Sequence, residues 1–213
     1  MMQTADSMPG KDKKIPCKLL SWEQCYQMAR QLAYRIREDS YQPDLIVAIA
    51  RGGLMPARVL SDNFDLFDLA SLKIEHYRAV HKDRIARVRY PLTASIEGRR
   101  VLLVDDVSDS GDTFEVAIQH LKLHGEPEDL RTAVLHHKRV SRYRPDYFAE
   151  EIVVWVWVIY PWAVMEDLGS LLQRMEPPPI TVEALGEALS RLHGIEPSKQ
   201  LLEDVLAKSQ SAS

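Results

Sequence analysis

The sequence predicts an α/β protein built on a doubly wound, mostly parallel sheet. Two apolar runs carry this prediction, 45–50 and 101–104, because neither shows the alternation of a strand that is exposed on one face. Such runs are typical of strands buried on both faces of a parallel sheet. Each is followed by a short glycine-containing loop and then by a helical pattern, and this order of strand, loop and helix repeats along the chain.

The individual elements follow in order from their patterns. Ser21 with Gln24 predicts the N-terminus of a first helix, whose apolar residues recur at helical spacing as far as Ile36. The same criteria then predict a strand at 45–50, a helix at 55–61, strands at 71–77 and 101–104, a helix at 113–124, and strands at 132–137 and 152–158. The ligands of such sheets bind at the carboxyl ends of the strands.

The chain divides into three parts in this interpretation. Residues 1–18 have no apolar core and predict a disordered leader, and residues 19–176 predict one domain. The proline run at 177–179 predicts a boundary. Residues 177–213 then form a C-terminal extension of two short amphipathic helices, whose polar faces carry no cluster of catalytic groups.

Composition narrows the class of protein. A formal net charge of −4 argues against a nucleic-acid binder held by bulk electrostatics. Cys17 and Cys25 are the only cysteines, too few for a disulfide framework or a zinc site, and predict reduced thiols in the cytoplasm. The longest apolar stretch, 152–162, is too short to span a bilayer, so no membrane partner is expected.

Residues 101–113, VLLVDDVSDSGDT, combine two kinds of binding group. Asp105 and Asp106 end the apolar strand and offer carboxylates to hydroxyl groups or a metal. The loop that follows, 108–113, brings hydroxyl side chains and backbone N–H groups to the start of a helix, where anions and above all phosphate bind. Because no P-loop or dinucleotide-binding glycine motif is present, the segment predicts a sugar-phosphate site of another kind.

This segment resembles the phosphoribosyl pyrophosphate signature of the type I phosphoribosyltransferases. The resemblance to that family extends over most of residues 19–166. The resemblance implies that family's fold, a mostly parallel sheet with a small hood. It also implies that the ribose hydroxyls and Mg²⁺ lie against Asp105 and Asp106. The remaining signature residues expected to contact the substrate, chiefly its 5-phosphate, are Ser108, Ser110, Gly111, Asp112 and Thr113.

A second loop, Arg51-Gly52-Gly53, follows the strand at 45–50. Glycines let backbone N–H groups approach a ligand closely, and the planar guanidinium of Arg51 suits phosphate oxygens. The loop resembles the pyrophosphate loop of purine phosphoribosyltransferases. The resemblance implies that Arg51, Gly52 and Gly53 hold the leaving pyrophosphate, with a cis peptide bond between Ala50 and Arg51.

Further residues bear on the acceptor base. By resemblance, Asp109 exchanges a proton with N7 of a purine, and Lys138 donates to a 6-oxo group. Trp157 stacks on the ring, and contacts to the 2-position come from the backbone near Val158. One departure is visible: where close relatives often carry an acidic residue that helps to hold a second Mg²⁺, this chain has Ala163, and Glu166 or Asp167 are the alternatives.

The charged span 76–90 resembles the family's catalytic lid, with Tyr77 at the position of its aromatic residue; a solvated hairpin is the alternative explanation of the charges. The expected activity is transfer of the phosphoribosyl group from phosphoribosyl pyrophosphate to a 6-oxopurine, in a homo-oligomer of two or four subunits. Two alternatives stay open: transfer to adenine or a pyrimidine, and a regulator that binds phosphoribosyl pyrophosphate without catalysis.

Overall fold

The computed structural model describes residues 14–78 and 84–211, with the side chains of 76–78, 84 and 85 excepted. The strands are β1 (Cys17–Leu19), β2 (Leu45–Ala50), β3 (Leu69–Arg78), β4 (Arg84–Tyr90), β5 (Arg100–Ser108), β6 (Asp129–Lys138), β7 (Tyr147–Ile152) and β8 (Trp157–Ile159). The helices are α1 (Trp22–Glu38), α2 (Leu54–Phe64), α3 (Asp112–Lys122), α4 (Val164–Leu172), α5 (Val182–His193) and α6 (Lys199–Ser211).

The described residues form two compact units. The larger unit comprises Glu23–Val154, and the smaller one contains the described residues before Glu23 and after Val154. A six-stranded sheet in the order β4-β3-β2-β5-β6-β7 organises the larger unit. All its neighbouring strands are parallel except β3 and β4, so the predicted mostly parallel α/β architecture is confirmed.

Burial on both faces explains why the central strands lack alternation. In β2, Leu45, Val47 and Ile49 pack in one cluster with Phe114 and Leu121 of α3, while the intervening residues of the strand are equally buried. α2 packs against β2 and β5. The sheet therefore has buried apolar side chains on both of its faces, as expected for strands covered by helices.

The smaller unit is built on the short parallel pair β1 and β8 and on helices α4, α5 and α6. Its apolar cluster joins Ile15 to Ile159 and to residues of all three helices. The α5 helix begins after Thr181, whose side chain accepts a hydrogen bond from the Ala184 N–H (3.2 Å), and ends at Gly194 with φ of 70°. None of the helices in the described part of the chain combines the length and apolar character that a membrane crossing requires.

Several sequence-based boundaries differ from the structure. The apolar run predicted as one strand at 152–158 is divided between β7 and β8, because Val153 and Val154 make no ladder and are exposed. Residues 17 and 18, expected in the disordered leader, belong to β1, where backbone pairing with β8 orders them. Residues 1–13 of that leader lie outside the described residues. The helix α4 has no counterpart among the predicted elements.

Candidate functional site

Three adjacent strands bring the predicted site segments to one edge of the sheet. β2, β5 and β6 are neighbours, and each is followed or ended by polar residues at its carboxyl end. These residues are the loop 51–53 after β2, the segment 105–113 in and after β5, and Lys138 at the end of β6. The parallel register therefore assembles groups that are far apart in the sequence.

The loop 51–53 lies directly against the two acidic residues. A Cβ on Gly52 would lie 2.3 Å from a carboxylate oxygen of Asp106, and one on Gly53 would lie 2.3 Å from the Val104 carbonyl oxygen. At Gly53, where the neighbouring atoms belong to the backbone, only glycine allows this approach. The peptide bond between Ala50 and Arg51 is cis, as the resemblance implied, and Arg51 is exposed beside the loop.

Asp105 is buried, with 8% of its surface exposed, and it is bound mainly by backbone. Its Oδ1 accepts the Asp106 N–H at 2.9 Å, and the backbone N–H of Gly53, which donates to the Ile49 carbonyl oxygen at 2.9 Å, also stabilises the carboxylate. Burial, and next the neighbouring charge of Asp106, raise the pKa of Asp105 well above its usual range, against these hydrogen bonds. A buried, destabilised carboxylate at a ligand-binding edge is typical of a functional group rather than a structural one.

Replacing Asp105 with asparagine is therefore expected to stabilise the fold while it impairs ligand binding. Asparagine keeps an oxygen for the two backbone donors but removes the buried charge. Because the pKa of Asp105 is raised in the folded state, the wild type loses stability as the pH rises through that value, and the variant does not. We expect Asp105→Asn to gain about 0.5–2 kcal/mol in the free energy of unfolding near pH 8 and nothing near pH 4. Urea denaturation at both pH values measures this, and a gain that does not depend on pH would contradict the buried-charge explanation.

The loop after β5 leads into the N-terminus of α3, a position where backbone N–H groups can bind an anion. Gly111 precedes α3 with φ of 96°, a conformation that side chains other than glycine rarely adopt. Ser110 Oγ donates to Asp112 Oδ2 at 3.0 Å, and Thr113 lies in the first turn of α3. The backbone N–H groups of this turn provide the positive end of the helix dipole.

A segment that the sequence analysis did not assign supports this loop. Residues 141–143 follow β6, and the Arg142 N–H donates to the Ser110 carbonyl oxygen at 3.0 Å. Ser108 Oγ donates to the Tyr143 carbonyl oxygen at 3.0 Å, so the predicted contact of the Ser108 hydroxyl with substrate competes with a buried internal bond. The Tyr143 ring stacks on Phe114 of α3, with ring centroids 5.0 Å apart. Only the concentration of charge in SRYR marked this segment in the sequence.

Lys138 and Asp109 form an ion pair beside the loop. Lys138 Nζ lies 3.0 Å from Asp109 Oδ2, with 3% of the lysine side chain and 32% of the aspartate side chain exposed. Burial lowers the pKa of Lys138, and the carboxylate of Asp109 offsets part of this effect. The pair presents a cationic donor and an anionic acceptor side by side, the two groups that the sequence assigned to a purine ring.

The other predicted base-binding residues lie in the smaller unit. Trp157 belongs to β8, and its indole Nε1–H donates to Asp167 Oδ1 of α4 at 3.1 Å. Its backbone N–H donates to the Pro16 carbonyl oxygen at 2.8 Å, so both ends of the residue are fixed. Val158 is buried and pairs with Lys18 of β1.

The predicted lid is only partly described. Its flanks form the antiparallel strands β3 and β4, while residues 79–83 lie outside the described residues. The side chain of Tyr77 also lies outside them, so its predicted contact with substrate stays a prediction.

Comparisons with known proteins give the context of this site. A family model described as phosphoribosyl transferase domain matches residues 18–164. The chain is 28% identical over 165 residues to the xanthine-guanine phosphoribosyltransferase of Cereibacter sphaeroides, covering 74% of this chain and 90% of that protein. It is 29% identical over 143 residues to the enzyme of the same name from Nitratidesulfovibrio vulgaris, covering 67% and 82%. Among solved structures, the purine phosphoribosyltransferase of Pyrococcus horikoshii aligns with a TM-score of 0.61 and 32% identity, over 68% of this chain and 93% of that chain.

Proposed function

As the chain belongs to the phosphoribosyl transferase domain family, we propose that it transfers the 5-phosphoribosyl group from phosphoribosyl pyrophosphate to a 6-oxopurine. The products are a purine nucleoside monophosphate and pyrophosphate, as in purine salvage. The relatives named above, which are purine or xanthine-guanine phosphoribosyltransferases, support the purine as acceptor.

The observation that carries the proposal is the Lys138–Asp109 pair. A 6-oxopurine presents its 6-oxygen and N7 next to each other on one edge of the ring. Lys138 can donate to the oxygen while the carboxylate of Asp109 accepts from a protonated N7, so the 3.0 Å spacing of the pair suits this edge. Adenine carries an amino donor at position 6 and would face the Lys138 ammonium with a second donor.

The phosphoribosyl half of the site is supported by the two loops of the larger unit. The 5-phosphate would bind at the turn 110–113, where backbone N–H groups start α3. The ribose hydroxyls would lie against Asp105 and Asp106, and the pyrophosphate against Arg51 and the glycines beside it. Each part of the substrate thus meets groups of complementary charge or hydrogen-bonding character.

Magnesium fits this donor set in a limited way. No group of three or more His, Cys, Asp and Glu side chains suited to a metal ion occurs among residues 14–75 and 86–211. Asp105 and Asp106 supply hard carboxylate oxygens, and Mg²⁺ is commonly bound by one or two carboxylates together with substrate phosphates. When bound, Mg²⁺ would neutralise charge on the pyrophosphate as it leaves. By the resemblance, a second ion would be held by an acid after Pro161-Trp162; this chain has Ala163 there, and Glu166 and Asp167 are the next acids.

In the reaction, N9 of the purine forms a bond to the anomeric carbon as the bond from that carbon to the pyrophosphate oxygen breaks. Positive charge develops on the ribose, where the carboxylates of Asp105 and Asp106 stabilise it electrostatically. The Arg51 guanidinium stabilises the negative charge that develops on the leaving pyrophosphate. Asp109 accepts the proton that the base gives up at N7.

Pyrophosphate release with a panel of bases tests the proposal. Hypoxanthine, guanine and xanthine are expected to support release in the presence of phosphoribosyl pyrophosphate and Mg²⁺. Release with adenine, uracil or orotate alone would overturn the assignment of the acceptor. No release with any base, together with measurable binding of phosphoribosyl pyrophosphate, would favour a non-catalytic regulator.

Lys138→Met is expected to lower kcat/KM for the 6-oxopurines by about 10- to 100-fold, the effect of removing a hydrogen bond from a charged donor. Methionine fits the buried position, and Asp109 is exposed enough to be hydrated without its partner. The KM for phosphoribosyl pyrophosphate should stay within about twofold of the wild type, because the substituted side chain belongs to the base site. Steady-state kinetics with each substrate varied in turn separate the two effects, and an equal loss for both substrates would contradict the role of Lys138.

Several further properties belong to the same proposal. Cys17 and Cys25 are outside any disulfide, which suits a reducing compartment such as the cytoplasm. The resemblance favours a homo-oligomer. The helical extension at 177–213 lies beyond the segment matched by the family model, which ends at residue 164, and we propose no catalytic part for it.

A further inference from the structure

The turn proposed to bind the 5-phosphate contains a negative charge of its own. Asp112 is the first residue of α3, and the backbone N–H groups that would hold phosphate start the same helix. A carboxylate in the first turn of a helix is attracted to the same positive end as a phosphate. Asp112 therefore both repels and competes with the ligand unless its charge is neutralised.

Arg142 supplies that neutralising charge. Its guanidinium Nη2 is paired with Asp112 Oδ1, while Ser110 donates to the other carboxylate oxygen at 3.0 Å. Both oxygens of Asp112 are thus bound by side chains of residues outside the helix. The backbone of Arg142 is fixed separately, through its N–H bond of 3.0 Å to the Ser110 carbonyl oxygen.

The segment that carries Arg142 is held rigidly against the turn. A Cβ on Gly111 would lie 2.6 Å from the Tyr143 backbone nitrogen, which shows how closely the two backbones approach. Ser141 Oγ lies 2.8 Å from Ser108 Oγ, and the Tyr143 hydroxyl donates to Thr132 Oγ1 at 3.2 Å. These bonds fix the position of residue 142 without using its side chain.

We infer that Arg142 is a positioning residue for phosphoribosyl pyrophosphate, which pairs with Asp112 and thereby keeps the 5-phosphate turn free of an opposing charge. The inference rests on the proposed function. It assigns Arg142 no contact with the substrate and no part in the chemical step. The Arg142 side chain is 70% exposed, so its removal is not expected to unfold the protein.

Arg142→Ala tests the inference in direct binding. The substitution removes the guanidinium and leaves the backbone bond to Ser110. Titration calorimetry is expected to show binding of phosphoribosyl pyrophosphate weakened about fivefold or more. The loss of affinity should become smaller as the NaCl concentration rises from about 0.05 to about 0.5 M, because salt screens the partly exposed charge of Asp112. Arg139→Ala is the matched control: this arginine lies in the same loop and is 59% exposed, but it pairs with Glu151.

The double variant Asp112→Asn/Arg142→Ala gives the decisive comparison. Asparagine keeps the backbone N–H that residue 112 offers to the 5-phosphate and removes only the charge of the side chain. With no charge left to neutralise, binding should return to within about twofold of the wild type. Binding as weak as in Arg142→Ala alone would overturn the inference, since Arg142 would then act on the phosphate or on the loop itself. Equal losses in the Arg139 and Arg142 variants would overturn it as well. Failure of the wild type to bind phosphoribosyl pyrophosphate at all would instead overturn the proposed function.

Discussion

Replacing Gly53 with alanine is expected to lower turnover by about 10²-fold or more and to destabilise the fold. A Cβ at this position would lie 2.3 Å from the Val104 carbonyl oxygen, 2.8 Å from the Ile49 carbonyl oxygen and 3.0 Å from the Asp105 Cα. All three are backbone atoms of buried strands, so none can rotate away. The φ of Gly53 is −67°, which any residue adopts, so the requirement is for space alone. We expect a loss of about 3 kcal/mol in the free energy of unfolding, at the upper end for overpacking, and about 10²-fold or more in turnover from the displaced loop.

Two other glycines make this prediction specific. At Gly52 the nearest atoms belong to the Asp106 carboxylate, which can rotate. Gly52→Ala should therefore keep most of the wild-type stability but displace the Asp106 carboxylate. Gly169 in α4 has no atom within 4 Å of an added Cβ, and Gly169→Ala should be neutral or slightly stabilising. Urea denaturation and pyrophosphate release would be measured for all three variants. A Gly53→Ala protein with wild-type stability would contradict the close approach of Gly53 to the backbone of Val104 and Ile49.

The sequence predicted the loop after β2 and the acidic residues of β5, but not the contact between them. Non-alternating apolar runs predicted β2 and β5, and the residues after them predicted binding groups at one edge of the sheet. That Gly52 faces Asp106 and Gly53 faces the backbone of Val104 depends on the register between the strands. Because these strands are buried on both faces, the apolar pattern within either strand leaves their register open.

Apolar runs were a weaker guide outside the central sheet. The stretch predicted as a strand at 152–158 is apolar throughout but does not form one continuous strand. Its first residue belongs to β7, which pairs with β6, and its last two belong to β8, which pairs with β1. The three-residue strands β1 and β8 are too short to show any periodicity of their own. Their formation depends on each other, and the sequence separation between them hides that dependence.

The residues that support the turn 110–113 could not be predicted from the sequence for a different reason. Residues 141–143 contribute hydrogen bonds and ring stacking to the turn, yet in the sequence they form a polar, charged loop like many others. The charge of Asp112 was visible in the signature, and the need to neutralise it follows from electrostatics. Which cation does so was not visible, because Arg142 lies on a loop whose path is set by β6 and β7.

Asp109→Asn is expected to lower turnover by about 10²-fold, the usual contribution of a general acid–base group. The amide cannot take up the proton that a purine gives up at N7, but its carbonyl oxygen can still accept from Lys138. The buried ammonium therefore keeps a hydrogen-bond partner, and the fold should be little affected. The KM for phosphoribosyl pyrophosphate should stay within about threefold of the wild type, since the residues proposed to hold that substrate are unchanged.

Asp109→Ala separates the catalytic loss from the structural one. Both variants remove the carboxylate that accepts the proton, so turnover should fall equally. Only the alanine variant also removes the oxygen atom that is paired with Lys138. Burial then acts on the lysine without the compensating carboxylate, its pKa falls further, and stability should decrease more than in Asp109→Asn. Asp204→Ala, an exposed acid on α6, is the control for charge removal. Single-turnover kinetics and urea denaturation measure the two effects. Near-normal turnover in Asp109→Asn would remove Asp109 from the mechanism, and with it the main argument for a purine as the acceptor.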